Sequence, residues 1–373
     1  MFTVPLSITV EKIESEVVTI WEELGMLGSR HRVTIKDVAA ISGVSTQTVS
    51  RVINNRPDVA PDTRERVEDA IATLGYRPSA VARTLVARRS NAIGVLLAGM
   101  GYTGTTLTLA GIVDEAANLG LTVLIAELPE GDSLDDPRPA ISALTERHVD
   151  GIIMSVPDVG HSVDRIRAVL PEQREPVVFV KAGVSDTYSS VLVDNAAAIE
   201  EVVDHLVSIG RTRISHISGP ASWHEAHDRW EGWQRGLRKH ELEANAELCE
   251  EGDWSPGSGA TAMSALLDRR PDLDAVVAAN DGMALGAMHT LRGRGLRIPE
   301  DVAVTGFDDI DEAAWFAPTL TSVGQPLEEM GRQAVRRLWS EFNGGATPAV
   351  VIPLRAELMI RESTVGAGDL EPG

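Results

Sequence analysis

Residues Val33 to Leu85 read VTIKDVAAISGVSTQTVSRVINNRPDVAPDTRERVEDAIATLGYRPSAVARTL, the most informative stretch of the chain. Thr34-Ile-Lys-Asp37 has the form of a capping box, with an acid three residues after a hydroxyl N-cap. A short apolar pattern follows in Ile35, Val38, Ala39 and Ile41. Ser42-Gly43-Val44 interrupts it, and Gly43 can take the positive φ of a tight turn. Ser45 can cap a second helix whose inward face is Val49, Val52 and Ile53. That leaves Thr46, Gln47, Ser50, Arg51 and Asn54 pointing outward. Two short helices joined by such a turn predict a helix-turn-helix, whose second helix enters the DNA major groove. The outward residue types suit base edges: Gln for adenine, Arg for guanine, and a Thr methyl against the thymine methyl. The pair alone also fits an ordinary amphipathic helix with a solvated polar face. Pro61-Asp-Thr-Arg64 opens a third helix with a buried stripe of Val67, Ala70, Ile71 and Leu74, and Gly75 ends it.

Charge supports the nucleic-acid reading once it is resolved along the chain. The 373 residues carry a formal net charge of −21, but residues 32–90 hold ten basic against six acidic side chains, a local +4. A basic head on an acidic body lets one module approach phosphates while the rest stays off them. The single Cys249 excludes an internal disulfide framework and a multi-cysteine metal site. No apolar run is long enough to span a bilayer, and the start lacks the basic region of a signal peptide. A cytoplasmic location and no membrane partner are therefore expected.

From Asn91 the pattern alternates strand-like and helix-like segments. Strands are expected at 93–97, 122–126, 151–155, 177–180, 191–194, 214–218, 275–279 and 302–306, with helices such as 110–119, 196–208 and 282–292. This predicts parallel sheets with helices on both faces, in two similar lobes flanking a ligand cleft. Gly99-Met-Gly101-Tyr-Thr-Gly104 is a literal G-x-G-x-x-G with Glu127 ending the next strand. A lone glycine motif is weak, and no hydride-transfer constellation accompanies it. His224-Glu-Ala-His227 is one residue short of zincin spacing. With no nucleophile elbow and no acid/base pair, the body reads as a binder rather than an enzyme, with no cofactor and no metal.

The stretch from Val33 to Leu85 resembles the headpiece and hinge of the lactose/galactose repressor (LacI/GalR) family. The resemblance continues to about Ser363 through HLVSIGRTRISHISGP, HDRWEGWQRGL, EGDWS, AANDGMALGAM, DVAVTGFDDID and PTLTSVGQP. It implies an all-α headpiece over 33–77, a hinge over 78–90, and a two-lobed α/β domain of periplasmic-binding-protein type over 91–363. The first lobe would take 91–193 and 323–342, the second 194–322 and 343–363. By position, Thr46, Gln47 and Arg51 would read bases, with Thr34, Ser45, Ser50 and Asn54 beside them, Ser45 and Ser50 near phosphate. Ala82 and Leu85 would lie on a hinge helix ordered by DNA, Leu85 wedging into a minor-groove base step.

In the body, the resemblance places Arg229, Asn280, Asp281 and Gln325 around a small-molecule cleft, with Tyr102 in the glycine-rich loop. Trp254, in a GDWS stretch like that of the galactoside-type branch, would stack on a sugar ring, the alternative being that it caps core packing. The family's cleft acid after Pro157 does not align cleanly, because Asp158 comes one position early. The implied function is a sugar-responsive repressor acting as a homodimer on a pseudo-palindromic operator. The alternatives are a ligand- or corepressor-activated regulator of the same fold, a solute-binding protein and an NAD-dependent enzyme. Residues 364–373 read as a flexible tail without leucine heptads. Residues 1–32 have no counterpart in the family. Ile13, Val17, Ile20, Trp21 and Leu24 follow helical spacing there, and Met26 offers a second start.

Overall fold

Hydroxyl caps and glycine stops define the headpiece helices in the computed structural model. Its described residues are 33–54, 56–76, 89–128, 136–172, 174–181, 183, 185–344 and 348–366. The expectations for 1–32, for Ala82 and Leu85 of the hinge, and for 367–373 fall outside them. The chain divides into two units, one ending at Arg88 and one beginning at Arg89.

In the first unit, α1 (Ile35–Ser42) begins at Thr34, whose backbone N–H and hydroxyl both donate to the Asp37 carboxylate at 2.8 Å. Gly43 ends it at φ 67°, in the left-handed region. The Ser45 hydroxyl accepts from the Thr48 N–H at 3.1 Å and opens α2 (Thr46–Ile53). Pro61 starts α3 (Pro61–Leu74), which stops at Gly75. Val38, Val49 and Val67, all fully buried, meet with Val52, Ala70 and Tyr76 in a small core. Ile41 departs from the expected apolar face and is 59% exposed.

The second unit begins with β1 (Ala92–Ala98), α4 (Thr103–Asn118), β2 (Thr122–Leu128), α5 (Arg138–Thr145) and β3 (Ile152–Ser155). It continues through α6 (Ser162–Val169), β4 (Val177–Val180), β5 (Ser189–Val193), α7 (Asn195–Ser208) and β6 (Ile214–Ser218). Next come α8 (His224–Lys239), β7 (Cys249–Glu251), α9 (Pro256–Arg269), β8 (Ala275–Ala278) and α10 (Asp281–Gly293). The last elements are β9 (Ala303–Asp308), β10 (Thr321–Gly324), α11 (Leu327–Gly344), β11 (Val351–Leu354), β12 (Glu357–Met359) and α12 (Glu362–Val365). They form two six-stranded sheets, β11-β5-β4-β3-β1-β2 and β12-β10-β9-β8-β6-β7. Every pairing is parallel except that of β10 with β12.

Period-two burial shows that both faces of each sheet are covered. Ile93, Val95 and Leu97 of β1 enter one core, while Ala92, Leu96 and Ala98 enter another. In β8, Ala275 and Val277 share that first core, and Val276 and Ala278 face a third. Among the described residues no helix is long and apolar enough to cross a membrane.

The lobes differ from the expected division. Thr321–Gly324 belongs wholly to the second sheet, where it pairs with β9 and β12. Residues 351–354 were expected in the second lobe but extend the first sheet by pairing with Ser190–Val193. The chain therefore crosses between lobes after β5, between β10 and α11, and between β11 and β12. The missed strands β7, β10, β11 and β12 have three or four residues each and, within those bounds, lack the run of three or more consecutive aliphatic or aromatic residues that marks the equally short β3, β4 and β8. β11 also contains Pro353, which only an edge strand tolerates.

Candidate functional site

Two surfaces concentrate the expected functional residues, and they differ in solvation. On the headpiece, Val49 and Val52 turn α2 inward, which leaves Thr46, Gln47, Arg51 and Asn54 exposed and Ser50 half-buried. Thr34 is also exposed, and its side chain is engaged in the α1 cap. Arg51 lies 3.5 Å from Asp58, and the Asn54 amide donates to the Ser50 carbonyl at 2.8 Å. This spare bonding leaves Thr46 and Gln47 at the helix start available to an incoming base edge.

In the second unit a cavity of about 720 Å³ lies between the lobes. It sits at the carboxyl ends of parallel strands, where open α/β sheets bind ligands. The first lobe contributes Tyr102 at the start of α4 and Lys181 after β4. The second contributes Trp223, Glu225 and Arg229 on and before α8, Trp254 after β7, Asn280 after β8 and Asp308 at the end of β9. Gln325 comes from the β10–α11 crossover.

Aromatic rings make the apolar wall. Tyr102 meets Trp223 edge to face at 5.1 Å between centroids, and Trp223 meets Trp254 in the same way at 5.5 Å. Trp254 has a backbone φ of 72°, and the Asn280 amide donates to its carbonyl at 3.0 Å. The indole lies so close over Gly219 that a Cβ there would stand 2.1 Å from it. Trp254 thus packs against the second-lobe core, and the same residue lines the cavity.

Arg229 is the polar hub. It is only 6% exposed, its Nε donates to Asn195 Oδ1 at 2.9 Å, and Nη1 donates to the Ala279 carbonyl. Nη2 lies 4.0 Å from Asp308, and the guanidinium plane sits 3.8 Å over the Phe307 ring centre. The Gln325 amide donates to Asp308 at 2.7 Å. Burial pushes the Asp308 carboxyl up, against the pull of Arg229. Burial likewise raises Glu225 and lowers Lys181, while the opposite charge of each resists the shift of the other.

Two expected cleft residues stand elsewhere. Asp158 is absent from the cavity wall. Its carboxylate turns back toward the start of α6, 3.3 Å from the Val163 N–H, and its carbonyl accepts from the His224 N–H at 2.9 Å. It supports the turn that carries Trp223 and His224 instead of facing a ligand. Asp281 is fully buried. Ser322 Oγ donates to it at 2.5 Å and the Ile310 N–H at 2.8 Å, so it anchors the Asp308-Asp309-Ile310 turn. That turn is strained, with φ of 110° at Asp308 and 52° at Asp309. Trp223, Lys181, Glu225 and Asp308 were not foreseen. Trp223 is an aromatic in a polar loop after a strand, Glu225 lies between the noted His224 and His227, and Asp308 lies in the quoted DVAVTGFDDID stretch; Lys181 carried no local signal.

Residues 34–79 match the model of bacterial regulatory proteins of the lacI family, and residues 203–364 match that of the periplasmic binding protein-like domain. The HTH-type transcriptional regulator CelR of Thermobifida fusca is 38% identical over 344 residues, covering 90% of this chain and 99% of that protein. The chain belongs to the lacI family. It is a DNA-binding transcriptional regulator and not an enzyme. The structure of the lac repressor dimer bound to operator and the anti-inducer ONPF aligns with a TM-score of 0.81 and 32% identity, over 90% of this chain and 99% of that one. A CelR–cellobiose complex aligns with a TM-score of 0.65 and 34% identity, over 89% of this chain and all of that one.

Proposed function

We propose that this regulator is a homodimeric repressor whose operator affinity is set by a sugar, of disaccharide class, bound between the lobes. The observation that carries this reading is the aromatic wall of Tyr102, Trp223 and Trp254 facing a polar rim of Arg229, Asn280, Asp308 and Gln325. Indole and phenol rings take the C–H face of a pyranose, and the amides, carboxylate and guanidinium take its hydroxyls. The cavity of about 720 Å³ lies in the range of small-molecule clefts. The relatedness to a regulator solved with cellobiose supports a disaccharide. On the DNA side, Thr46, Gln47 and Arg51 read bases. Ser45, Ser50, Thr34 and Asn54 set the helix on the backbone, and Ala82 and Leu85 belong to the hinge. Two headpieces related by a two-fold axis require two-fold symmetric half-sites.

The test has two arms. Selection from random duplexes should yield a pseudo-palindromic operator, and a panel of mono- and disaccharides should include one that raises the melting temperature of the protein. That sugar should also weaken operator binding. A sugar that strengthened it would reverse the sign of control, and a panel without any effect would overturn the sugar reading.

A further inference from the structure

One acid stands beside the reading helix of a module that must approach phosphate. Asp58 lies in the turn between α2 and α3, and its carboxylate is 3.5 Å from Nη1 of Arg51. The turn that presents it is held on both sides. The Arg56 N–H donates to the Arg51 carbonyl at 2.9 Å, and Arg64 Nη2, from α3, donates to the Arg56 carbonyl at 2.6 Å. Pro57 fixes its own φ, and Val59 packs against the headpiece core. Asp58 therefore meets Arg51 from a fixed backbone position.

Stability does not account for the pair. The two side chains are 49% and 57% exposed, a setting in which an ion pair contributes little. A carboxylate on this face also repels the phosphates that the basic head attracts. What it supplies is orientation. A guanidinium has five N–H donors, and a bidentate contact with guanine O6 and N7 uses two. Asp58 meets Nη1, so the edge formed by Nε and Nη2 can take the base. An arginine held this way loses less rotamer freedom on entering the groove, and its attraction to Asp58 strengthens as water is excluded. We propose that Asp58 is a specificity-determining residue. It orients Arg51 toward guanine, and its charge raises the cost of binding wherever Arg51 finds none. The inference rests on the assignment of Arg51 to base reading and adds a positioning residue to it.

Binding titrations on the intact protein test it. The probes are the operator that the wild type selects from random duplexes, single substitutions of every base pair in its half-site, and a random-sequence duplex. Arg51→Met identifies the pair that Arg51 reads, as the one whose substitution no longer costs that variant affinity. At that pair Asp58→Asn and Asp58→Ala should lose about three- to tenfold of the wild-type discrimination, the scale of one immobilised side chain, and keep it at the others. Both should bind the random-sequence duplex more tightly, with an unchanged melting temperature. Asp69→Asn, which removes the same charge from an exposed position of α3, should leave the base preferences as they are. Undiminished discrimination at the Arg51 pair in both Asp58 variants, an equal loss at every pair, or the same loss in Asp69→Asn would overturn the proposal. Random-sequence binding no tighter than that of the wild type would overturn its charge half. A wild type that selects no operator, or an Arg51→Met variant with every preference intact, would instead overturn the base-reading assignment, and the proposal with it.

Discussion

The headpiece works with exposed side chains, and the interlobe cavity works with buried ones. Gln47 and Arg51 stand in solvent on a helix held by Val49 and Val52. Arg229 and Glu225 are almost fully withdrawn from water, and each leans on charged or polar neighbours from distant parts of the chain. The contrast teaches that DNA reading can be altered without touching the fold. Ligand binding cannot, because the same groups hold the lobes in shape.

The largest expected effect belongs to Arg229. Truncation to Ala strands Asp308 and Asn195 in a buried setting, a loss of about 3–5 kcal/mol by the measure of broken buried pairs. Thermal unfolding of Arg229→Ala should show a clear fall in Tm together with loss of sugar response. An unchanged Tm would break the comparison. Trp254→Ala comes next, because it removes one ring of the wall and part of the second-lobe core packing. A stability cost of about 3–5 kcal/mol is the upper expectation for so large a side chain, and less where it is only partly buried. Calorimetry should find sugar affinity down at least tenfold, about one aromatic contact's worth.

On the exposed side, Gln47→Ala should weaken specific operator binding by about 1–3 kcal/mol while leaving Tm and sugar affinity alone. Gel-shift titration and melting curves check both halves, and a lowered Tm would count against the separation of reading from folding.

The smallest effect is a pH dependence that only the buried region should show. Burial, with the like charge of Asp308 added, pushes the Asp281 carboxyl up to about 7, although Ser322 and the Ile310 N–H pull it down. A folded-state value above the ordinary 3.8 means that the native protein holds a proton which the unfolded chain gives up. Its stabilising contribution is complete below that ordinary value and is lost as pH rises through about 7. Glu225, Asp228 and Asp308 are shifted in the same direction. Asp281→Asn should therefore flatten part of the fall in Tm as pH rises from 3.8 to about 7. Parallel curves for the variant and the wild type would remove Asp281 from that role.

The same contrast explains what the sequence could disclose. The headpiece was legible because its signals are local: a cap at Thr34, a turn at Gly43, a cap at Ser45, Pro61 and Gly75 at the two ends of α3. The eight strands expected declared themselves by apolar runs. Tyr102, Arg229, Trp254, Asn280 and Gln325 line the cavity as the family pattern implied. Lys181 escaped notice because nothing beside it in the chain marks it, and Glu225 was seen only as part of a His224–His227 stretch set aside as a metal site; only the approach of the two lobes brings them to one space. Asp281 was misplaced for a related reason. Its motif was read correctly, but Ser322 and Ile310, which take up its carboxylate, arrive from β10 and the turn after β9. The third crossing at β11 stayed hidden in a short edge strand containing a proline.

The central claim is that the cleft and the reading face are coupled. Operator titrations at rising concentrations of the responding sugar, paired with sugar titrations of free and operator-bound protein, measure that coupling directly. The account predicts that sugar weakens operator binding and that operator weakens sugar binding by the same factor, typically about 5–150-fold. Operator affinity independent of a sugar that demonstrably fills the cleft would contradict it.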